Sequence, residues 1–236
     1  KGDERNEMLQ RIYGTAFATK DELDAWFAAI EEARRRDHRR LGKELYLFSF
    51  SPLAPASPFF HPKGAVVYNE LLAFMRGLYR KYGYQEVITP QLFDAELWKT
   101  SGHYFNYKEN MFFCEADERE FGLKPMNCPS HCVMFAAHAH SYRELPLRIA
   151  DFGRLHRYER SGVVQGLTRV RSFCQDDAHI FCMPAQIGAE VDALFDMMFE
   201  VYRTFGFSDP VIYLSTMPEK AIGDPALWQT AEAQLE

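Results

Sequence analysis

Apolar side chains recur along this chain with two periods, and the switches between them delimit its elements. Thr19, followed three residues later by Glu22, forms a capping-box pattern, after which Leu23, Trp26, Phe27 and Ile30 fall at i, i+3, i+4 and i+7. The spacing predicts a helix over 19–43. Its second half, 31–40, is densely charged, as a solvated connecting helix would be, and reads as a bridge from an upstream domain. Pro52, Pro55, Pro58 and Pro62 mark 51–62 as a loop. Val67, Leu71, Phe74 and Leu78 then give 65–82 a helical stripe, Gly83 ends it, and 86–89 is a short strand closed by Pro90.

Further along, 111–114 and 121–124 read as a hairpin across a polar turn, and 130–140 as a helix. Two longer extended stretches, 147–160 and 170–181, form a second hairpin around the Gly-containing loop 161–168. A helix over 185–205 and a strand over 211–215 follow. Helices mixed with mainly antiparallel strands predict an α+β fold rather than a doubly wound parallel sheet.

The second hairpin carries the densest chemistry. In an extended strand alternate side chains share a face, so Arg171, Phe173, Gln175, Asp177 and His179 project together. The preceding strand places Arg157 and Glu159 on one face in the same way. Arginine, aromatic ring, amide, carboxylate and imidazole in one row make a poor core face, because buried without partners they would leave polar groups unsatisfied. Lining a common surface, Arg157 can clamp a phosphate or carboxylate, Phe173 can stack on a base, and Glu159 can accept from an exocyclic amine. For the hairpin alone, an exposed sheet face of mixed charge is the alternative.

Composition narrows the class. The 236 residues suit one domain with an N-terminal appendage, and 47% hydrophobic with 25% charged residues is the balance of a globular protein, not a disordered one. A formal net charge of −6 excludes a generic basic coat for nucleic acid, which needs cations to displace counterions, and leaves a local basic patch open. Cys114, Cys128, Cys132, Cys174 and Cys182, with no secretory signal or long apolar run, are expected to be reduced thiols of a cytoplasmic protein with no membrane segment. Cys128 and His179 are ligand types suited to Zn²⁺, but two are too few for a closed site. Cys132 and His131 lie near in sequence, and Cys132, one helical turn from Cys128, could equally be packing.

Five ordered blocks now carry a resemblance: 124–131 (KPMNCPSH), 142–148 (YRELPLR), 157–159 (RYE), 166–171 (GLTRVR) and 175–181 (QDDAHIF). Together they closely resemble the catalytic domain of the threonyl-tRNA synthetase family, within the class II aminoacyl-tRNA synthetases. Upstream, 11–17 and 36–43 are similar to that family's junction between editing and catalytic domains. The resemblance implies a linker and connecting helix over 1–43 and the first part of the aminoacylation domain over 44–236, with motifs 1 and 2 present and motif 3 missing. A chain that opens on Lys1 and stops at Glu236 inside a helical pattern is expected to be part of a longer polypeptide.

The resemblance also implies roles. Cys128 and His179 match two of the family's three zinc ligands, the third being expected beyond Glu236; the zinc binds the amino and hydroxyl groups of threonine and so rejects valine. Asp177 matches the carboxylate that accepts from that hydroxyl, Met126 lines the pocket, and Gln175 contacts the amino acid and nucleotide. Arg157 matches the arginine on the α-phosphate and substrate carboxylate, Glu159 the contact to the adenine amino group, Phe173 the ring stacked on adenine, and Arg169 the loop arginine near the γ-phosphate. Mg²⁺ and ATP, tRNA(Thr) as partner, and a homodimer through the motif 1 region at 61–90 complete the expectation. Ser130 stands where the family usually has Gly, and only local adjustment is expected of it. Without motif 3, this stretch alone is expected not to catalyse aminoacylation. A non-catalytic relative kept as a binding module and a synthetase for serine or proline are the competing readings.

Overall fold

The computed structural model describes residues 12–207, 210–219, 221 and 223–235. Arg11 of the junction block and Glu236 at the chain end lie outside the described residues. The expected capping box forms: Thr19 Oγ1 accepts from Glu22 N at 3.2 Å, and Glu22 Oε2 accepts from Thr19 N at 3.2 Å. It starts helix α1 (Lys20–Arg35), none of whose residues is buried, as its charge pattern predicts. The helix does not run on to 43. Asp37 accepts from Arg39 N and caps a separate helix, α2 (His38–Glu44), because its short carboxylate competes with the helical path at that point.

The proline-marked segment is not a loop. Strands β1 (Phe48–Ser51) and β2 (Ala54–Phe60) form a hairpin with Phe48 opposite Phe60. Prolines fit there because a two-stranded ribbon is all edge, where a missing N–H breaks no interior ladder. Helix α3 (Pro62–Lys81) begins with Pro at its first position and ends at Gly83, whose φ of +75° needs a residue without Cβ. The next strand, β3 (Gln85–Glu86), is shorter than expected and pairs parallel with a later strand.

Strand β4 (Leu92–Asp94) leads into helices α4 (Ala95–Thr100) and α5 (His103–Asn106). The first hairpin appears as β5 (Phe113–Ala116) and β6 (Arg119–Leu123), turning through Asp117 and Glu118, both at positive φ. That is the tight primed turn whose twist suits two strands, so pairing runs closer to the tip than expected. Helix α6 (Cys128–Ala136) replaces the predicted 130–140.

The second hairpin is present with one register throughout. Strand β7 (Leu147–Asp151) pairs with β10 (Asp177–Phe181), Asp151 opposite Asp177, while β8 (Arg154–His156) pairs with β9 (Ser172–Cys174), Arg154 opposite Cys174. Each long strand is interrupted once, near Phe152–Gly153 and Gln175–Asp176, without slipping. Arg157 N donating to Arg171 O at 3.0 Å carries the pairing onward. Opposed residues share a face. The even-numbered face, with Ala150, Phe152, Ala178 and Ile180, packs on Leu78 and Tyr79 of α3 and on Met197 and Val201 of α7 (Ile187–Thr204). Burying a side chain such as Leu78 or Met197 there contributes about 1.5–3 kcal/mol. The odd-numbered face is left for chemistry.

Helix α8 (Pro225–Leu235) fills the helix-like end of the chain. Residues 211–215 do not form the predicted strand: Val211 and Tyr213 are exposed, and no described strand pairs with them, so their β-rich composition has nothing to bond to. Among the described residues no helix is long and apolar enough to cross a membrane. Helices flanking mainly antiparallel strands make the fold α+β, as expected.

Candidate functional site

The odd-numbered face carries two adjoining clusters. Toward the hairpin's loop, Arg157, Glu159, Arg169, Phe173 and Gln175 line a cavity of about 500 Å³ with Leu167, Thr168 and Val170. The Arg157 guanidinium lies 5.0 Å from the centre of the Phe173 ring, and its Nε donates to Pro125 O at 3.1 Å. Glu159 is buried and takes Arg169 Nε on one oxygen at 2.9 Å. Arg157 and Arg169 therefore aim positive charge at a cavity with an aromatic wall, an arrangement suited to a phosphorylated ring compound.

The second cluster is built where α6 abuts the same face. Asn127 Nδ2 donates to Asp177 Oδ2 at 3.0 Å, and His131 Nδ1 and His179 Nδ1 share a proton at 2.6 Å with their rings edge to face. Cys128, at the first turn of α6, is exposed, yet the protein around its sulfur raises the thiol pKa, and Asp177 adds to the rise while Arg157 opposes it. Burial pushes the His179 imidazole down against the opposing charge of Asp177, and His131 adds to the depression. The Met126 sulfur lies 3.3 Å from His103 Nε2, on α5 and outside this cluster.

Seven of the nine residues named from the sequence, Arg157, Glu159, Arg169, Phe173, Gln175, Asp177 and His179, thus belong to the two clusters; Cys128 opens the adjoining helix α6, and Met126 contacts His103 instead. A fit to zinc can be judged from the donors. Among the described residues no group of three or more His, Cys, Asp or Glu is arranged to hold a metal, so Cys128 and His179 supply two donors at most. Those two are compatible with it: His179 meets His131 through Nδ1, which leaves Nε2 available to ligate, and Cys128 offers an exposed sulfur. Binding would have to displace the Cys128 proton that its surroundings favour.

Beneath the site lies a polar network that the sequence did not announce. Lys124 is fully buried, and its Nζ donates to Thr89 Oγ1 at 2.7 Å and reaches Asp151 Oδ2 at 3.4 Å. Thr89 Oγ1 donates to the same carboxylate oxygen at 2.7 Å, and His131 Nε2 stands 3.7 Å from it. A chain of polar contacts therefore runs from Lys124 and Asp151 through His131 to His179. Ser130 Oγ donates to Asn127 O at 2.6 Å. Lys124 and His131 fall in the 124–131 block, but nothing in the sequence joins them to Thr89 and Asp151. Lysine and aspartate far apart in the chain read as surface charges until the fold joins them.

Gly153 sits where the hairpin is interrupted, and a Cβ there would lie 2.6 Å from both Asn127 Oδ1 and Lys124 Nζ. Gly153→Ala is expected to destabilise the domain by about 1–3 kcal/mol, because the methyl displaces two buried polar groups at once. Urea unfolding checks it, and an unchanged midpoint would show that the network has room to spare.

The threonine–tRNA ligase of Bdellovibrio bacteriovorus is 56% identical over 235 residues, covering 100% of this chain and 36% of the relative. A crystal structure described as the RNA binding domain of threonyl-tRNA synthetase from Cryptosporidium parvum superposes with TM-score 0.78 at 52% identity, over 85% of this chain and 50% of that one. A putative threonyl-tRNA synthetase from Aeropyrum pernix gives 0.72 at 31% identity, over 82% and 47%. This chain spans just over a third of the first relative's length. The tRNA synthetase class II core domain (G, H, P, S and T) matches residues 112–231. That match takes in half of the chain, including both clusters of the site, and the chain belongs to the class II tRNA synthetase core-domain family.

Proposed function

We propose that this chain is the first part of the aminoacylation domain of a threonine–tRNA ligase, residues 1–43 being its connecting segment and 44–236 its catalytic portion. The observation that carries the reading is a cationic, aromatic-walled cavity on the same sheet face as Asp177 and His179, with helix α6 and its Cys128 packed beside them. Threonine and ATP bind side by side there. A threonine carboxylate oxygen attacks the α-phosphorus of ATP and pyrophosphate leaves. Arg157 neutralises the phosphoryl charge and holds the carboxylate in line, so rate comes from positioning and charge stabilisation rather than proton transfer.

Arg157 already covers one face of Phe173, so adenine stacks on the opposite face or against both. The remaining oxygen of Glu159 accepts from the adenine amine, Arg169 meets the polyphosphate, and Gln175 contacts the amino acid. Asp177, oriented by Asn127, accepts from the threonine hydroxyl. Cys128 and His179 hold zinc, with the third protein ligand supplied from outside these residues. When bound, the zinc would polarise the substrate's amine and hydroxyl. A hydroxyl-reading pocket of this kind discriminates against valine far better than apolar shape can. Mg²⁺ accompanies ATP, tRNA(Thr) receives the product, and the protein works in the cytoplasm. Exposed Val66, Val67 and Leu71 along α3 and Phe59 of β2 support a homodimer through the 61–90 region.

The full-length protein is expected to show ATP–pyrophosphate exchange that depends on threonine and not on valine, with one zinc per chain by elemental analysis. Exchange driven instead by serine or proline would reassign the substrate. No exchange with any amino acid would leave a binding module.

A further inference from the structure

We propose that His38 is a positioning residue of the nucleotide cavity, holding from helix α2 the loop that carries Thr168 and Arg169. Its Nε2 accepts a hydrogen bond from Leu167 N at 2.9 Å, across 129 positions of sequence. Because Nε2 must accept, the ring proton sits on Nδ1, the nitrogen 3.8 Å from Asp37 Oδ1. Asp37 is itself fixed by capping α2 and pairing with Arg39, and the His38 ring lies along Phe48 of β1 at 6.3 Å and 27°. The imidazole thus has the Asp37 carboxylate and the Phe48 ring as neighbours where it meets the loop.

The loop is shaped to receive it. Gly166 adopts φ +50°, and a Cβ on it would fall 2.2 Å from His38 Nε2, so the imidazole fills the place a side chain would take. Thr168 N and Arg169 N both donate to Gln165 O, and Gln165 N donates to Arg169 O. This tight turn transmits the restraint at Leu167 to Arg169, two residues on. Arg169 then reaches Glu159, and Leu167, Thr168 and Arg169 all line the cavity. His38 is not itself among the residues that line the cavity. It acts by restricting where the loop's cation can stand, and so reduces the ordering that a polyphosphate must impose on binding.

The kinetic part of the test rests on the proposed ligase reading, whereas the structural part does not. Two variants of the full-length protein separate acceptor from ring: His38→Phe keeps a ring against Phe48 and removes the acceptor, and His38→Gln keeps an acceptor at similar reach and removes the ring. Deuterium exchange at the Leu167 amide, without ligand, is expected to rise roughly ten-fold in His38→Phe and to stay near wild type in His38→Gln, the ten-fold corresponding to about 1.4 kcal/mol. In threonine-dependent pyrophosphate exchange, KM for ATP rises by a similar factor in His38→Phe while KM for threonine stays within about two-fold. Unchanged Leu167 exchange in His38→Phe, equal losses in both variants, or parallel rises in both KM values would overturn the proposal. Wild-type protein inactive with threonine would refute the ligase reading alone. Calorimetric titration with ATP as the sole probe then decides: affinity lowered in His38→Phe but not in His38→Gln upholds the positioning role, and equal affinities reject it.

Discussion

Arg157→Gln is expected to lower threonine-dependent ATP–pyrophosphate exchange by about 10²–10³-fold, the usual cost of removing one donor aimed at developing phosphoryl or oxyanion charge. The residue's setting explains why the loss should fall on kcat. Its guanidinium is held before any substrate arrives, by Pro125 O on one side and the Phe173 ring on the other. A preorganised cation stabilises charge that grows in the transition state without reorganising, so removing it raises the barrier more than it weakens ground-state binding. Arg157→Lys keeps the charge and loses the planar fork, and is expected to recover only part of the rate. Stopped-time exchange assays with both substrates varied make the comparison. Near-wild-type kcat in Arg157→Gln, with any defect confined to KM, would remove the residue from the chemistry and leave it as a binding contact.

How much of this was legible beforehand depended on whether a pattern was local. The row from Arg171 to His179 was readable because a two-residue period needs only neighbouring positions, and the register found in the structure keeps Asp151 with Asp177 and pairs Arg157 with Arg171 on that face. The capping box at Thr19 was readable for the same reason. Composition misled where tertiary context decides: prolines made a loop of a strand that sits at an edge, and a β-rich run at 211–215 stayed unpaired. Asp37 broke the first helix in two, although a continuous charged pattern ran across it. Asn127, His131, Lys124 and Asp151 went unread as a set. Their importance lies in contacts between segments up to 62 positions apart, such as Thr89 with Asp151, which no spacing rule encodes.

Lys124→Met provides the other large effect, on stability instead of rate. Lys124 and Asp151 are both buried, and the lysine also supports Thr89, so the substitution leaves a carboxylate in the interior without its cation. Breaking one side of a buried pair costs about 3–5 kcal/mol, much more than the side chain's packing, which methionine largely replaces. The double substitution Lys124→Met with Asp151→Asn is expected to recover part of the loss, since no charge is then stranded. The pH dependence carries its own sign. Burial alone would raise the Asp151 pKa, but the neighbouring His131 ring, the hydrogen bond from Thr89 and the charge of Lys124 outweigh it and hold the carboxyl below its ordinary value. A depressed folded pKa contributes stability that is present above the unfolded value, about 3.9, and is lost as pH falls through the folded one. The deficit of Lys124→Met relative to wild type should therefore be largest near neutral pH and shrink at acid pH, because without its cation the variant's buried carboxyl takes up a proton before the wild type's does. Urea unfolding at the two pH values measures it. A deficit of the same size at both would mean that the lysine acts through shape and not through its pair with Asp151, and the chain of contacts leading to His131 and His179 would then lose its electrostatic anchor.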